Sequence, residues 1–287
     1  MTLPRRMGDC ALLDGAMGTA LLAGGLSGGA LPERWVVERP WEVARVHAQH
    51  VAAGAQILLT CTFNLARVEA SELQASVEEV ARRAVWLARS ARPGTVAGCA
   101  GATALSRADG RGAADGELRE RFERAFRALA DAGADLLWTE THLTLREARA
   151  AVWAARRTGR PVVATAFLAP GPGGLAAIDG TPGHEFLEAL WRDGAAAVGV
   201  NCVAPDGALA AVVAQAAVRV PVPLVVKPNA GLPDAPWTPS RFAAGVMRAI
   251  RAGASMAGGC CGAGTDHLRA LAAMLPPRCP AVPQARG

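Results

Sequence analysis

DAGADLLWTE, residues 131–140, is one of four versions of a single phrase; the others are AAGAQILLT (52–60), RDGAAAVGVNC (192–202) and RAGASMAGGC (251–260). Each carries a Gly-Ala step, at Gly54, Gly133, Gly194 or Gly253, then an apolar run, then a polar or thiol residue. Glycine suits the left-handed position just past the end of a helix, because it has no Cβ to clash there. The phrase therefore marks four helix-to-strand joints, and its spacing assigns them to the second, fourth, sixth and eighth strands of a repeating β/α chain.

The rest of the chain supplies the other strands. The β-prone runs are ALLD (11–14), QILLT (56–60), TVAGC (95–99), DLLWTE (135–140), PVVATAF (161–167), AAVGVNC (196–202), PLVVK (223–227) and ASMAGGC (254–260). Between them lie amphipathic stretches such as ASVEEVARRAVWLARSA (75–91) and REARAAVWAARRTG (146–159), with apolar residues at helical spacing. Eight β/α units in 287 residues predict a single closed (β/α)8 TIM barrel of class α/β, in preference to a doubly wound open sheet. The barrel is expected to span residues 1–275, with no second domain. The stretch 276–287, PPRCPAVPQARG, is expected to be a disordered tail carrying an inert Cys279.

In such barrels chemistry gathers at the C-terminal ends of the strands. Those ends are Asp14, Thr60 to Asn64, Glu140, Asn201 with Cys202, and Cys260 with Cys261. The segments after the third, fifth and seventh strands are long and rich in Gly and Pro, as loops that shape a pocket tend to be.

Composition narrows the function. The chain is 51% hydrophobic and 19% charged, enough apolar content for a large core. Its net charge of +5 comes from arginines interleaved with glutamate, as in RERFERAFRALADAG (119–133), and Lys227 is its only lysine. That pattern is a solvated helix face, so no nucleic-acid partner is expected. No apolar run reaches the roughly 20 residues of a membrane span, and a cytoplasmic protein with no membrane partner is expected. Seven cysteines, an odd number, fit a compartment where thiols stay reduced.

Three of those thiols sit at the sixth and eighth strand ends, which one neighbouring strand separates in a closed barrel. Cys202, Cys260 and Cys261 around one ion, with a fourth position open, would be a zinc arrangement suited to catalysis. Adjacent strand residues face opposite ways, so Cys260 and Cys261 converge only if the backbone bends, and Gly258, Gly259 and Gly262 permit that. Close packing of small residues and a dithiol redox pair are the competing readings of the same residues.

Several motifs fall in one order: LDGAMGTALL (13–22), PERWVVERPWEVARVHAQHVAAGAQILLTCTF (32–63), TETH (139–142), GVNC (199–202), KPNAGLP (227–233) and GGCCGAGTDHLRAL (258–271). Together they resemble the homocysteine S-methyltransferase family. That family includes the homocysteine-binding module of cobalamin-dependent methionine synthase, betaine–homocysteine methyltransferase and the S-methylmethionine-using enzymes. The resemblance implies Zn2+ as cofactor, with Cys202, Cys260 and Cys261 as its ligands and, through the ion, the catalytic residues. It implies that Asp14 and Glu140 bind the amino group of L-homocysteine; from sequence alone, Asp14 could equally cap a turn and Glu140 pair with a helix arginine. Asn201 is a further candidate at the substrate site, or a residue that holds the backbone there. The substrate carboxylate is expected to meet backbone N–H groups. Asn229 could shape the pocket, and His47, His142 and His267 are expected to be structural rather than basic catalysts. Cys61 stands where the family often has asparagine, and could add a fourth thiol to the site.

The implied chemistry is attack of an ionised homocysteine sulfur on an activated methyl group, giving methionine. Coordination ionises a thiol that is mostly protonated at neutral pH. Three thiolates on a divalent ion leave net negative charge, which keeps the bound sulfur nucleophilic. A sulfonium donor, S-methylmethionine or S-adenosylmethionine, is favoured on chain length. The alternatives are a homocysteine-activating subunit working with a separate cobalamin- or folate-binding protein, and a non-catalytic zinc- or thiol-binding barrel.

Overall fold

A computed structural model describes residue 3 and residues 10–103, 105, 112–232 and 235–275. The tail 276–287 and Cys279 lie outside the described residues. Eight parallel strands form the central sheet: β1 (Ala11–Leu12), β2 (Ile57–Leu59), β3 (Thr95–Gly101), β4 (Leu136–His142), β5 (Val162–Ala166), β6 (Ala197–Asn201), β7 (Leu224–Lys227) and β8 (Ala254–Ala257). Each pairs with its sequence neighbour, and β8 returns to β1 through Ala11↔Met256 and Leu12↔Ala257. The remaining seam, between β1 and β2, closes through the parallel bridge Leu13↔Ile57. The chain is a (β/α)8 barrel.

The four glycines of the repeated phrase behave as the sequence predicts. Gly54, Gly133, Gly194 and Gly253 all have positive φ, between +89° and +127°. Each lies two residues past the end of a helix: Pro40–Ala52, Asp115–Asp131, Gly183–Arg192 or Pro239–Arg251. Helix starts are set by side chains that accept orphan backbone N–H groups. Ser76 accepts from Glu79 N, Asp206 from Ala208 N, and Thr238 from Arg241 N ahead of Pro239.

Two apolar compartments result. Alternate strand residues fill the lumen, among them Leu13, Leu59, Cys99, Trp138, Val163, Val225 and Met256. The outward residues pack with the helices in a second, larger layer. Packing between β6 and β7 is close at Gly199, where an added Cβ would lie 2.0 Å from the Val225 carbonyl oxygen. Gly199→Ala is therefore expected to cost about 1–3 kcal/mol through backbone displacement, read as a lower thermal midpoint.

One difference from the sequence reading matters for function. Strand β8 ends at Ala257, so the two cysteines lie on a turn beyond the ladder rather than on the strand. In the loops after β5 and β7, Ala169–Gly171 pairs with Gly174–Ala176 and Gly231–Leu232 with Ala235–Pro236, both antiparallel. No helix among the described residues is long and apolar enough to cross a membrane.

Candidate active site

A cavity of about 250 Å³ opens at the C-terminal ends of the strands. Its lining includes Asp14, Glu140, Lys227 and the three cysteines predicted to meet there, with Met17 and Phe63 among the apolar residues.

The sulfur cluster is built by turns. Beyond β8, Gly258 N bonds to Val226 O and Gly259 N to Asp14 O, so the backbone stays tied to both flanking strands before it leaves the sheet. Cys260 N then bonds Pro228 O, and Ala263 N bonds Cys260 O to close the turn. Gly258 and Gly259 permit close approach, because a Cβ would lie 2.6 Å from Asp14 O at the first and 2.2 Å from the Ala263 Cβ at the second. Gly262 takes φ +77°. Cys202 itself adopts φ +59°, rare for a residue with a Cβ. It is held there by Cys202 N to Lys227 O (3.1 Å) and by Asn229 Nδ2 to Cys202 O (3.0 Å). Asn229 thus acts on the site as a clamp for the Cys202 backbone.

Cys202 Sγ lies 2.9 Å from Cys260 Sγ and 3.8 Å from Cys261 Sγ. Among the described residues these three form the one cluster of potential ligands, all within 4.8 Å of one another. Thiolates about 2.3 Å from a tetrahedral zinc stand roughly 3.8 Å apart, and an all-sulfur donor set suits that ion, so the residues fit it. Donation from Cys202 and Cys260 pulls the Cys261 thiol down to about 3, while Cys202, as donor to both neighbours, is pushed well up. Cys61 lines the cavity but stands outside the cluster, and burial pushes its thiol well up.

The floor carries buried charged residues. Asp14, 2% exposed, accepts from Leu59 N (2.7 Å) through Oδ2 and pairs with the Lys227 ammonium through Oδ1. Glu140 accepts from the Cys99 thiol (3.2 Å), and burial pushes its carboxyl up to about 7 against the pull of Lys227. Beside it Thr141 adopts φ +63°. Asn201 holds that strained residue on both sides, Oδ1 accepting from Thr141 N (2.9 Å) and Nδ2 donating to Thr141 Oγ1 (2.6 Å). Its Nδ2 also lies 3.9 Å from Cys260 Sγ. Asn201 does not itself line the cavity.

The rim after β2 is fixed by hydroxyls. Thr60 and Thr62 bond each other (2.6 Å), Thr62 donates to Cys99 O and Thr60 accepts from Cys99 N. Asn64 is fastened by the buried Glu33, which accepts from its backbone N (2.7 Å) and side chain. Gly101 leaves room for the Phe63 ring, 2.2 Å from where a Cβ would stand.

None of the three histidines expected to be structural lines the cavity. His142 is buried and bonds Thr139 Oγ1. His267 bonds Trp237 O (2.8 Å) and accepts from Gly264 N at a helix start. His47 is wholly buried in the helix Pro40–Ala52. The sequence reading does not single out Lys227, Cys99 or Glu33 as site residues. For Lys227 a signal exists, since a lone lysine closing an apolar strand at the catalytic face has to find a partner.

Comparison with known proteins agrees with this geometry. The profile of the homocysteine S-methyltransferase family matches residues 11–275. The homocysteine S-methyltransferase YbgG of Bacillus subtilis is 30% identical over 91% of this chain and 93% of that protein. A methionine synthase of Mycobacterium tuberculosis is 26% identical over 91% of this chain but only 24% of its own length. In three dimensions the chain is similar to the metallated form of the homocysteine methyltransferase MmuM from Escherichia coli. The TM-score is 0.79 at 27% identity, over 92% of this chain and 96% of that one.

Proposed function

Because this chain belongs to the homocysteine S-methyltransferase family, we propose that it methylates the thiol of L-homocysteine from a small sulfonium donor, S-methylmethionine or S-adenosylmethionine, in a zinc-dependent reaction that yields methionine. The observation that carries the reading is the juxtaposition of three convergent thiols with a buried carboxylate floor in one cavity.

Cys202, Cys260 and Cys261 would hold the zinc, and the ion, when bound, would supply ionisation of the substrate thiol at neutral pH. The protein's own groups do the rest. Glu140, with Asp14 beside it, receives the substrate ammonium through charge-assisted hydrogen bonds and so fixes the distance from the amino-acid end to the sulfur. Asn201 and Asn229 maintain the two strained backbones, at Thr141 and Cys202, that aim carboxylate and thiol at the same space. Once ionised, the substrate sulfur attacks the methyl carbon in line. A new S–C bond forms as the donor's bond to that carbon breaks, and the donor leaves as a neutral thioether. The cavity of about 250 Å³ would receive the acceptor together with the methyl-bearing end of the donor. Phe63 lines the cavity wall, where its ring would be available to a sulfonium.

The test is turnover by zinc-loaded protein with homocysteine and each donor in turn, scored as methionine. Product from either sulfonium supports the reading. Product only when a separate methylcobalamin-bearing protein is added would favour the second reading, a homocysteine-activating subunit. The match to one segment of a much longer methionine synthase supports that alternative.

Glu140 gives the reaction a pH signature. With its carboxyl near 7, it is an anion at pH 8 and mostly protonated at pH 6. A protonated Glu140 has no charge to offer an ammonium. The KM for homocysteine is therefore expected to rise as pH falls below about 7, by up to tenfold per pH unit, the limiting slope for one proton. Glu140→Gln should show a high KM without that slope. A slope unchanged in the variant would remove Glu140 from the ammonium site.

A further inference from the structure

Asn201 closes β6 one residue before Cys202, and it is wholly buried. It does not line the cavity, so it acts there only through its neighbours. Its amide is used in full. Oδ1 accepts from Thr141 N, and Nδ2 has one hydrogen for Thr141 Oγ1 and one for Cys260 Sγ, 3.9 Å away. A backbone N–H can only donate, so the bond from Thr141 N decides which end of the amide is oxygen. The N–H end is thereby turned toward the sulfur. Among the described residues Asn201 is the one side-chain amide that reaches a sulfur of the cluster. Asn229, the other amide that braces the cluster, donates from Nδ2 to the Cys202 carbonyl instead. The three sulfurs are therefore not equivalent.

We propose that Asn201 is a positioning residue of the metal centre: its amide N–H holds the Cys260 sulfur and draws off part of its charge, so that the three thiolates are unequal donors to the ion. A thiolate accepts a hydrogen bond more strongly than a thiol, so the contact favours the ionised form that a metal requires. One buried amide thus ties Cys202, its chain neighbour, to Cys260 and to Thr141. The inference rests on the reading that the three cysteines hold a divalent ion. An asparagine that served only to brace the strained backbone of Thr141 would leave the electrons of the sulfurs unchanged, and that difference is measurable.

The probe is Co2+, which occupies tetrahedral sulfur sites as zinc does and shows a thiolate-to-metal charge-transfer band that zinc lacks. The full chain is loaded with Co2+ and its near-ultraviolet absorption read without substrate or donor. Asn201→Asp keeps the shape and the acceptor for Thr141 N but has no N–H for the sulfur. Loss of that donor raises the energy of the sulfur electrons, so the band is expected at longer wavelength. Asn201→Ala, which adds no charge, should shift it the same way. Zinc, measured by chelator competition, should bind both variants ~10–100-fold more weakly, the usual cost of removing a partner of a metal ligand. Thr141→Ala removes only the Oγ1 contact and should leave the band in place. A native band in the Asn201 variants would overturn the inference. A shift in Asn201→Asp that Asn201→Ala lacks would also overturn it, because it would belong to the added charge. So would a Thr141→Ala band shifted as far, since Asn201 would then act only through Thr141. A native chain that shows no thiolate band with cobalt would instead remove the cysteine-ligand reading itself, and this role of Asn201 with it.

Discussion

Replacing Cys202 by serine is expected to remove zinc and turnover together. Serine preserves the backbone contacts that define the position, because Cys202 N to Lys227 O and Asn229 Nδ2 to Cys202 O involve no side-chain atom of residue 202. What changes is the donor. A hydroxyl is a hard ligand that does not ionise as a thiol does, so two sulfurs would remain where the proposed site needs three. Metal content measured by atomic absorption should fall from about one zinc per chain to near zero. Methionine formation should drop by at least ~10³-fold, about 4 kcal/mol of transition-state stabilisation. Circular dichroism should be unchanged, since the cluster lies beyond the strand ends. Full zinc content in the variant would refute the ligand assignment. A chelator-resistant activity that needed the Cys260–Cys261 pair would restore the dithiol redox reading.

The second large effect concerns stability. Asp14 and Lys227 form an ion pair with side-chain exposures of 3% and 4%. Removing one member leaves the other buried without its counter-charge, which typically costs 3–5 kcal/mol. Lys227→Met should therefore lower the thermal midpoint by roughly 6–20 °C, at 2–4 °C per kcal/mol for a chain of about this size. The same substitution combined with Asp14→Asn removes both charges and should recover most of the loss. The measurement is a double-mutant cycle on urea midpoints. Additive effects would mean that the pair is not coupled in the folded protein.

The polypeptide by itself determined the barrel. Its signals are local: a glycine past each of four helices, an apolar run after each, and helical periodicity between. Left-handed backbone and burial of alternating side chains are dictated over a few residues, so they are legible in one dimension. The meeting of the thiols was legible too, from their places at the sixth and eighth strand ends, whereas their reading as metal ligands over packing or a redox pair came with the family resemblance. Tertiary structure alone decided how the floor is charged. Asp14 and Lys227 are 213 residues apart, and nothing local to either names the other. It also decided the strained φ of Thr141 and Cys202, neither of which is a residue type that signals left-handed backbone. Those conformations persist because Asn201 and Asn229 over-determine them from other strand ends, and Glu140 is pushed up to about 7 because the barrel buries it. Short-range sterics write the fold into the sequence, whereas the charges and strain of the site arise from desolvation and contacts that exist only once the barrel has closed.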